Sequence, residues 1–85
     1  MVSPEPELDL HRLTVDEALT RLDQYLYETY IAGIPSVRIV HGKGSGTLQR
    51  VVRKRLMKHH LVKSFRPAKS EEGGGGVTVV EMAEY

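Results

Sequence analysis

Between Thr14 and Pro35 the sequence specifies both ends of one helix, and the rest of an 85-residue chain has to be arranged around it. Thr14 followed by Glu17 is a capping box: the hydroxyl takes an orphan amide of the first turn and the carboxylate reaches back. Val15, Ala18, Leu19, Leu22, Leu26 and Tyr30 then recur at helical spacing as one apolar stripe. Gly33 offers a left-handed cap, and Pro35 forbids continuation. The spacing predicts a helix over 15–32. A chain this short has room for one compact core, so the stripe and the remaining elements must share it.

The other elements are shorter. Glu7-Leu8-Asp9-Leu10-His11 alternates polar and apolar, which predicts a half-buried strand with Leu8 and Leu10 inward. Val37 to Val40 reads as a second, β-branched strand, and it runs into His41-Gly42-Lys43-Gly44-Ser45-Gly46. A second helix is predicted over 47–59, with Leu48, Val52 and Leu56 buried and Val51 flanking. Arg50, Arg53, Lys54 and Lys58 gather on the opposite side of its wheel, while Arg55 lies near the apolar side with its stem packed and its guanidinium in water. His59 and His60 read as cap or surface residues, where a cation would suit the helix dipole. Residues 61–65 suggest a third strand, 71–76 a glycine-rich hairpin loop, and Val77-Thr78-Val79-Val80 a central strand. The order β-α-β-α-β-β with right-handed crossovers implies a two-layer α/β sandwich, a mixed four-stranded sheet with both helices on one face. Residues 1–6 are expected to form a flexible arm and 7–85 a single domain.

Charge is sorted along the chain. Residues 37–69 hold ten bases and no acid, whereas the 36 residues before them carry seven acids against two arginines. The middle third should attract polyanions, which points to nucleic acid or another phosphate-bearing partner. The absence of cysteine excludes disulfides and thiolate zinc sites. No apolar run approaches the length of a membrane span, and Met1 to Glu7 contain no apolar block of the secretory kind. Cytoplasm is the expected location, with no membrane partner.

If the first two strands are parallel neighbours, their carboxyl ends share one edge, the place where open α/β sheets bind ligands. Asp9 and His11 would meet His41 and the glycine loop there. The loop opens a helix, so its free amides and the positive dipole end suit a phosphate, although a tight turn that only needs glycine explains the same residues. A carboxylate beside imidazole can orient it for proton transfer, or the pair can be plain surface polarity. His41 can likewise be a proton carrier or a strand-end residue that hydrogen-bonds the loop. No ligand set for a divalent metal stands out, and the cofactor requirement stays unassigned.

Leu8-Asp9-Leu10-His11, His41-Gly42-Lys43-Gly44-Ser45-Gly46 and the glycine-rich turn into Val77-Thr78-Val79-Val80, in this order, resemble the Smr (small MutS-related) domain, over about residues 7–82. The second and third motifs most resemble the C-terminal domain of bacterial second-type MutS-like proteins. The family's leading motif usually closes with glycine where this chain has Arg12. The resemblance implies a nicking endonuclease domain on DNA or RNA, detached from a larger dimeric ATPase of recombination suppression or ribosome rescue, and itself monomeric. It implies Asp9, His11, His41 and Lys43 as catalytic residues. Gly42, Gly44, Gly46, Arg50, Arg53, Lys54 and Lys58 would hold phosphate. The alternative is a non-catalytic module that docks the parent protein on branched DNA or ribosomal RNA. Without aromatics in the basic helix, binding should follow the backbone and not the sequence.

Overall fold

The computed structural model describes residues 6–84, so residues 1–5 of the expected N-terminal arm lie outside the described residues. Strand β1 (Glu7–Asp9) leads to helix α1 (Val15–Ile31), strand β2 (Ser36–Val40), helix α2 (Thr47–Met57), strand β3 (Val62–Pro67) and strand β4 (Val77–Met82). The sheet order is β1-β2-β4-β3. β1 and β2 are parallel, and β4 runs antiparallel to both β2 and β3, which makes the sheet mixed with β4 inside it. The α/β reading and the central place of the Val77 strand are both borne out.

Local chemistry explains the helix ends. The Thr14 hydroxyl accepts the Glu17 amide at 3.3 Å, and the Glu17 carboxylate accepts the Thr14 amide at 3.0 Å, closing the capping box. Gly33 takes φ +72° just past the last turn, where an L side chain would be strained. α2 ends at Met57, two residues short of the expectation. Its next turn is occupied by His59, whose Nδ1 accepts the Leu61 amide at 3.2 Å. Burial holds the His59 imidazole below its ordinary pKa against the pull of Asp23, 3.6 Å from its Nε2, and the reading of His59 as a cap is met by the Leu61 bond.

One core joins sheet and helices. Leu8 of β1 and Leu10 just after it, Val37 and Ile39 of β2 and Val80 and Met82 of β4 meet Ala18, Leu22 and Leu26 of α1 and Val52 and Leu56 of α2. Each fully buried Leu, Ile or Val contributes about 1.5–3 kcal/mol. The helices are also tied by charge: Arg55, whose head was expected in water, pairs with Asp23 of α1. On the opposite face of the sheet Arg38 pairs with Glu7, and Arg66 holds Glu72 through two bonds of 2.7 and 2.8 Å. That grip lowers the Glu72 carboxyl to about 2.

The loop expected at 71–76 consists of two short 3-10 turns, Ser70–Glu72 and Gly74–Gly76, which connect β3 to its antiparallel neighbour β4. None of the described residues is long and apolar enough, as a helix, to cross a membrane.

Candidate active site

The parallel pairing of β1 with β2 brings both carboxyl ends to one edge. Asp9 pairs with Val40 in register, and the Leu10 amide donates to the Val40 carbonyl at 2.7 Å. Both strands end there, and both helices begin there. The cleft between them is lined by His11, Thr14 and Val15 on the α1 side and by residues 41–49 on the α2 side. The N-terminus of α2, which has no acid in its first turn, presents its positive end to this space, a setting that favours an anion, whereas the first turn of α1 already carries Asp16 and Glu17.

His11 sits in the turn after β1 and is fixed from two sides. Its backbone amide donates to Asp9 Oδ1 at 3.0 Å, and its Nδ1 meets the same oxygen. These bonds hold the Asp9 carboxyl below its usual range, so Asp9 is ionised and keeps the ring proton on Nδ1. Nε2 is left as the acceptor, and Arg12 Nε donates to it at 3.1 Å. Arg12 takes no positive φ; among the described residues only glycines do. The turn thus closes without the glycine usual at that place, and it puts a guanidinium against the free nitrogen of the imidazole.

His41 occupies a different environment. It is buried, with Nε2 2.8 Å from Thr78 Oγ1 and Nδ1 3.0 Å from the Gly42 carbonyl. Burial lowers its pKa and favours the neutral ring. Of the two imidazoles expected at this edge, His11 is exposed, and His41 is buried at the back of the cleft with both ring nitrogens engaged.

The loop is shaped by glycine where shape is needed. Gly42 takes φ +79°, and a Cβ there would lie 3.1 Å from His11 Cβ, so the two strand ends touch. The Gly76 carbonyl accepts the amides of His41 and Gly42, both at 3.0 Å. A Cβ on Gly76 would come 3.3 Å from the Gly42 backbone and 3.5 Å from Lys43 Cγ. The glycine run before β4 is therefore the backing of the Gly42–Lys43 turn, a function that its sequence shows only as a hairpin. Gly44 is open, and Gly46 takes φ +84° as the α2 cap, while the Ser45 hydroxyl accepts the Thr47 amide at 3.4 Å.

The ten bases of residues 37–69 divide in two. Arg38, Arg55, Lys63 and Arg66 form ion pairs with acids from outside the segment. Lys43, Arg50, Arg53, Lys54, Lys58 and Lys69 form none among the described residues. Arg50, Lys54 and Lys58 are exposed, as expected. Arg53 departs from the expected solvent face: it flanks the buried row, and its Nε donates to Thr78 Oγ1 at 3.2 Å, while its side chain still lines a groove with Ser45, Gln49, Arg50 and Lys54. Thr78 lay inside an apolar run and gave no sequence signal of a polar role. Among the described residues no group of three or more His, Asp or Glu side chains is placed to hold a metal ion.

Comparison with known proteins agrees with this geometry. The family model of the Smr domain matches residues 8–83. The chain is 50% identical over 78 residues to endonuclease MutS2 of Pelotomaculum thermopropionicum and 55% identical over 78 residues to that of Thermomicrobium roseum, in each case 92% of this chain and 10% of the relative. The crystal structure of the Smr domain of Thermus thermophilus MutS2 superposes with a TM-score of 0.89 at 45% identity, covering 92% of this chain and 98% of that one. YdaL, a stand-alone small MutS-related protein from Escherichia coli, gives 0.84 at 25% identity over 92% of this chain and 64% of that one. The chain spans about a tenth of the length of the MutS2 relatives.

Proposed function

The chain belongs to the Smr domain family, and on that premise we propose that it is a nuclease domain that cuts phosphodiester backbones of DNA or RNA without sequence specificity. The observation that carries this reading is the cleft in which His11, held by Asp9, faces Lys43 and the first turns of both helices, beside the unpaired bases of α2. Arg50, Lys54 and Lys58 hold the phosphate backbone, and Lys43 with the loop amides grips the reacting phosphate.

In the cleavage step His11 Nε2 takes the proton of the attacking oxygen, a water or a ribose hydroxyl. The new phosphorus–oxygen bond forms as the bond to the leaving oxygen breaks; that oxygen takes a proton from solvent water, and the His11 imidazolium later returns its own to solvent. Asp9 keeps the Nδ1 proton in place and balances the imidazolium that forms. Arg12 must move off Nε2 for this step, and an exposed guanidinium can follow the incoming phosphate. Lys43 and the N-terminus of α2 meet the charge that develops on the phosphoryl oxygens. His41, buried and neutral, fixes the loop and moves no proton.

In a longer MutS-like protein, a dimer acting in the cytoplasm, the domain would bring this cleft to branched DNA or ribosome-bound RNA. The test is direct: supercoiled plasmid DNA and a structured RNA are incubated with the chain, with chelator and with added divalent metal. Strand breaks in either substrate support the enzyme reading. No cutting under any of these conditions contradicts it and leaves the docking module.

A further inference from the structure

Behind the cleft, one chain of hydrogen bonds runs from the basic face of α2 to the glycine loop. Arg53 Nε lies 3.2 Å from Thr78 Oγ1, Thr78 Oγ1 2.8 Å from His41 Nε2, and His41 Nδ1 3.0 Å from the Gly42 carbonyl. The inventory of donors permits one direction. A guanidinium only donates, so Thr78 accepts from Arg53 and gives its own hydrogen to His41 Nε2. A carbonyl only accepts, so the imidazole proton is on Nδ1 and points at Gly42. Every group in the line is then satisfied, with the imidazole neutral.

The two ends of this line stand in functional places. Its outer end, Arg53, lines the groove shared with Arg50, Lys54 and Ser45. Its inner end is Gly42, which is also tied by its amide to Gly76 and which sets the direction of Lys43. Thr78 is fully buried, and His41, at the back of the cleft, is 4% exposed with both ring nitrogens taken up within the line. We propose that Thr78 and Arg53 are positioning residues of the nuclease, holding the Gly42–Lys43 turn through His41. Arg53 does this through Nε while its terminal nitrogens remain for a backbone phosphate, a division of labour that lysine cannot reproduce. The inference rests on the nuclease reading, and its test includes a measurement independent of cutting.

Three variants decide it: Thr78→Val, which keeps the volume and removes the hydroxyl; Thr78→Ser, which restores it; and Arg53→Lys, which keeps the charge and loses the Nε donor. Each is assayed for binding and cutting of supercoiled plasmid DNA and an RNA hairpin, and for exchange of the Gly42 amide in the free protein. Thr78→Val is expected to slow cutting by about 100-fold, as a misplacement on the order of 1 Å does, with Kd unchanged within about two-fold. Its Gly42 amide should exchange about ten-fold faster, the effect of about one net hydrogen bond, while the Val80 and Met82 amides keep their protection. Thr78→Ser should restore both, and Arg53→Lys should slow cutting while binding stays. Wild-type cutting in Thr78→Val, no rescue by serine, or equal losses of binding and cutting in Arg53→Lys would overturn the proposal. If Thr78→Val does not fold, Arg53→Lys, on the flank of a helix, decides between these outcomes. If the wild type cuts neither substrate, the nuclease reading fails, and Gly42 exchange still shows whether the hydrogen-bond line orders the turn.

Discussion

Gly42→Ala is the perturbation whose cost can be worked most fully from the geometry. Gly42 takes φ +79°, and an added Cβ would stand 3.1 Å from His11 Cβ. The left-handed conformation alone costs an L residue about 1–2 kcal/mol. For a domain of this size that lowers Tm by roughly 4–16 °C. The contact adds a second effect, because 3.1 Å is closer than carbon atoms ordinarily sit, and one strand end must retreat by about 0.3–0.5 Å to reach ordinary contact distance. At about 100-fold per ångström of misplacement, such a shift of the imidazole lowers cutting by about four- to ten-fold. Gly33→Ala is the matched control. Gly33 takes φ +72° with nothing within 4 Å of the added carbon, so it carries the strain without the contact. Thermal melting of both variants by circular dichroism and nicking of supercoiled plasmid separate the two effects. Both variants should melt early, and Gly42→Ala alone should cut slowly. Equal cutting rates in the two variants would refute the claim that the touching strand ends set the position of His11.

Lys43, Arg50, Arg53, Lys54 and Lys58 acting as phosphate contacts predict that log affinity for duplex DNA falls with log salt at a slope of about −4.5, and that reversing Arg50 and Lys54 flattens it; fluorescence anisotropy between low and physiological salt measures this. Lys43→Ala should lower kcat by about 100-fold or more while its binding slope changes by about one unit, as expected of a group beside developing charge, and single-turnover kinetics make the separation. Glu72, with its carboxyl lowered from 4.5 to about 2, contributes stability that is present above pH 4.5 and is lost as pH falls toward 2. Urea unfolding across that range should show a steeper acid loss in the wild type than in Glu72→Gln.

The parts of the fold that were legible in the sequence are those set by neighbours along the chain. The Thr14 box, the Gly33 cap and the stripe through Leu22 and Leu26 are local, and they fix α1 to within a residue. The edge that gathers Asp9, His11 and the glycine loop followed from one inference, that a helical crossover makes β1 and β2 parallel. What was not legible depends on β4 lying against β2. Register places Val77 opposite Val40, and this brings Gly76 under Gly42 and Thr78 to His41. Nothing in Gly-Gly-Gly-Gly or Val-Thr-Val-Val announces those contacts, because both stretches are explained without remainder as a turn and a strand. Arg53 was misplaced for a related reason: a helical wheel separates polar from apolar sides, but a residue on the flank is assigned by whatever faces it. The partners of Arg55 and His59 were hidden in the same way: the wheel puts Arg55 near the apolar side and the dipole puts His59 at the helix end, but neither shows Asp23 of α1 or the Leu61 amide.

Asp9→Ala tests the nuclease reading most directly. Asp9 is exposed, and its neighbours Leu8 and Leu10 remain buried without it, so the variant should fold. Its carboxylate fixes both the amide and the ring of His11, and loss of an acid–base pair of this kind costs about 10²–10⁴-fold in rate. Removal of one negative charge beside the cleft leaves phosphate attraction intact or stronger. Nicking and binding measured on the same plasmid, for wild type and variant side by side, should show Asp9→Ala binding at least as tightly and cutting at least about 100-fold more slowly. A variant that cuts at the wild-type rate would contradict the assignment of His11, held by Asp9, as the proton carrier of this site.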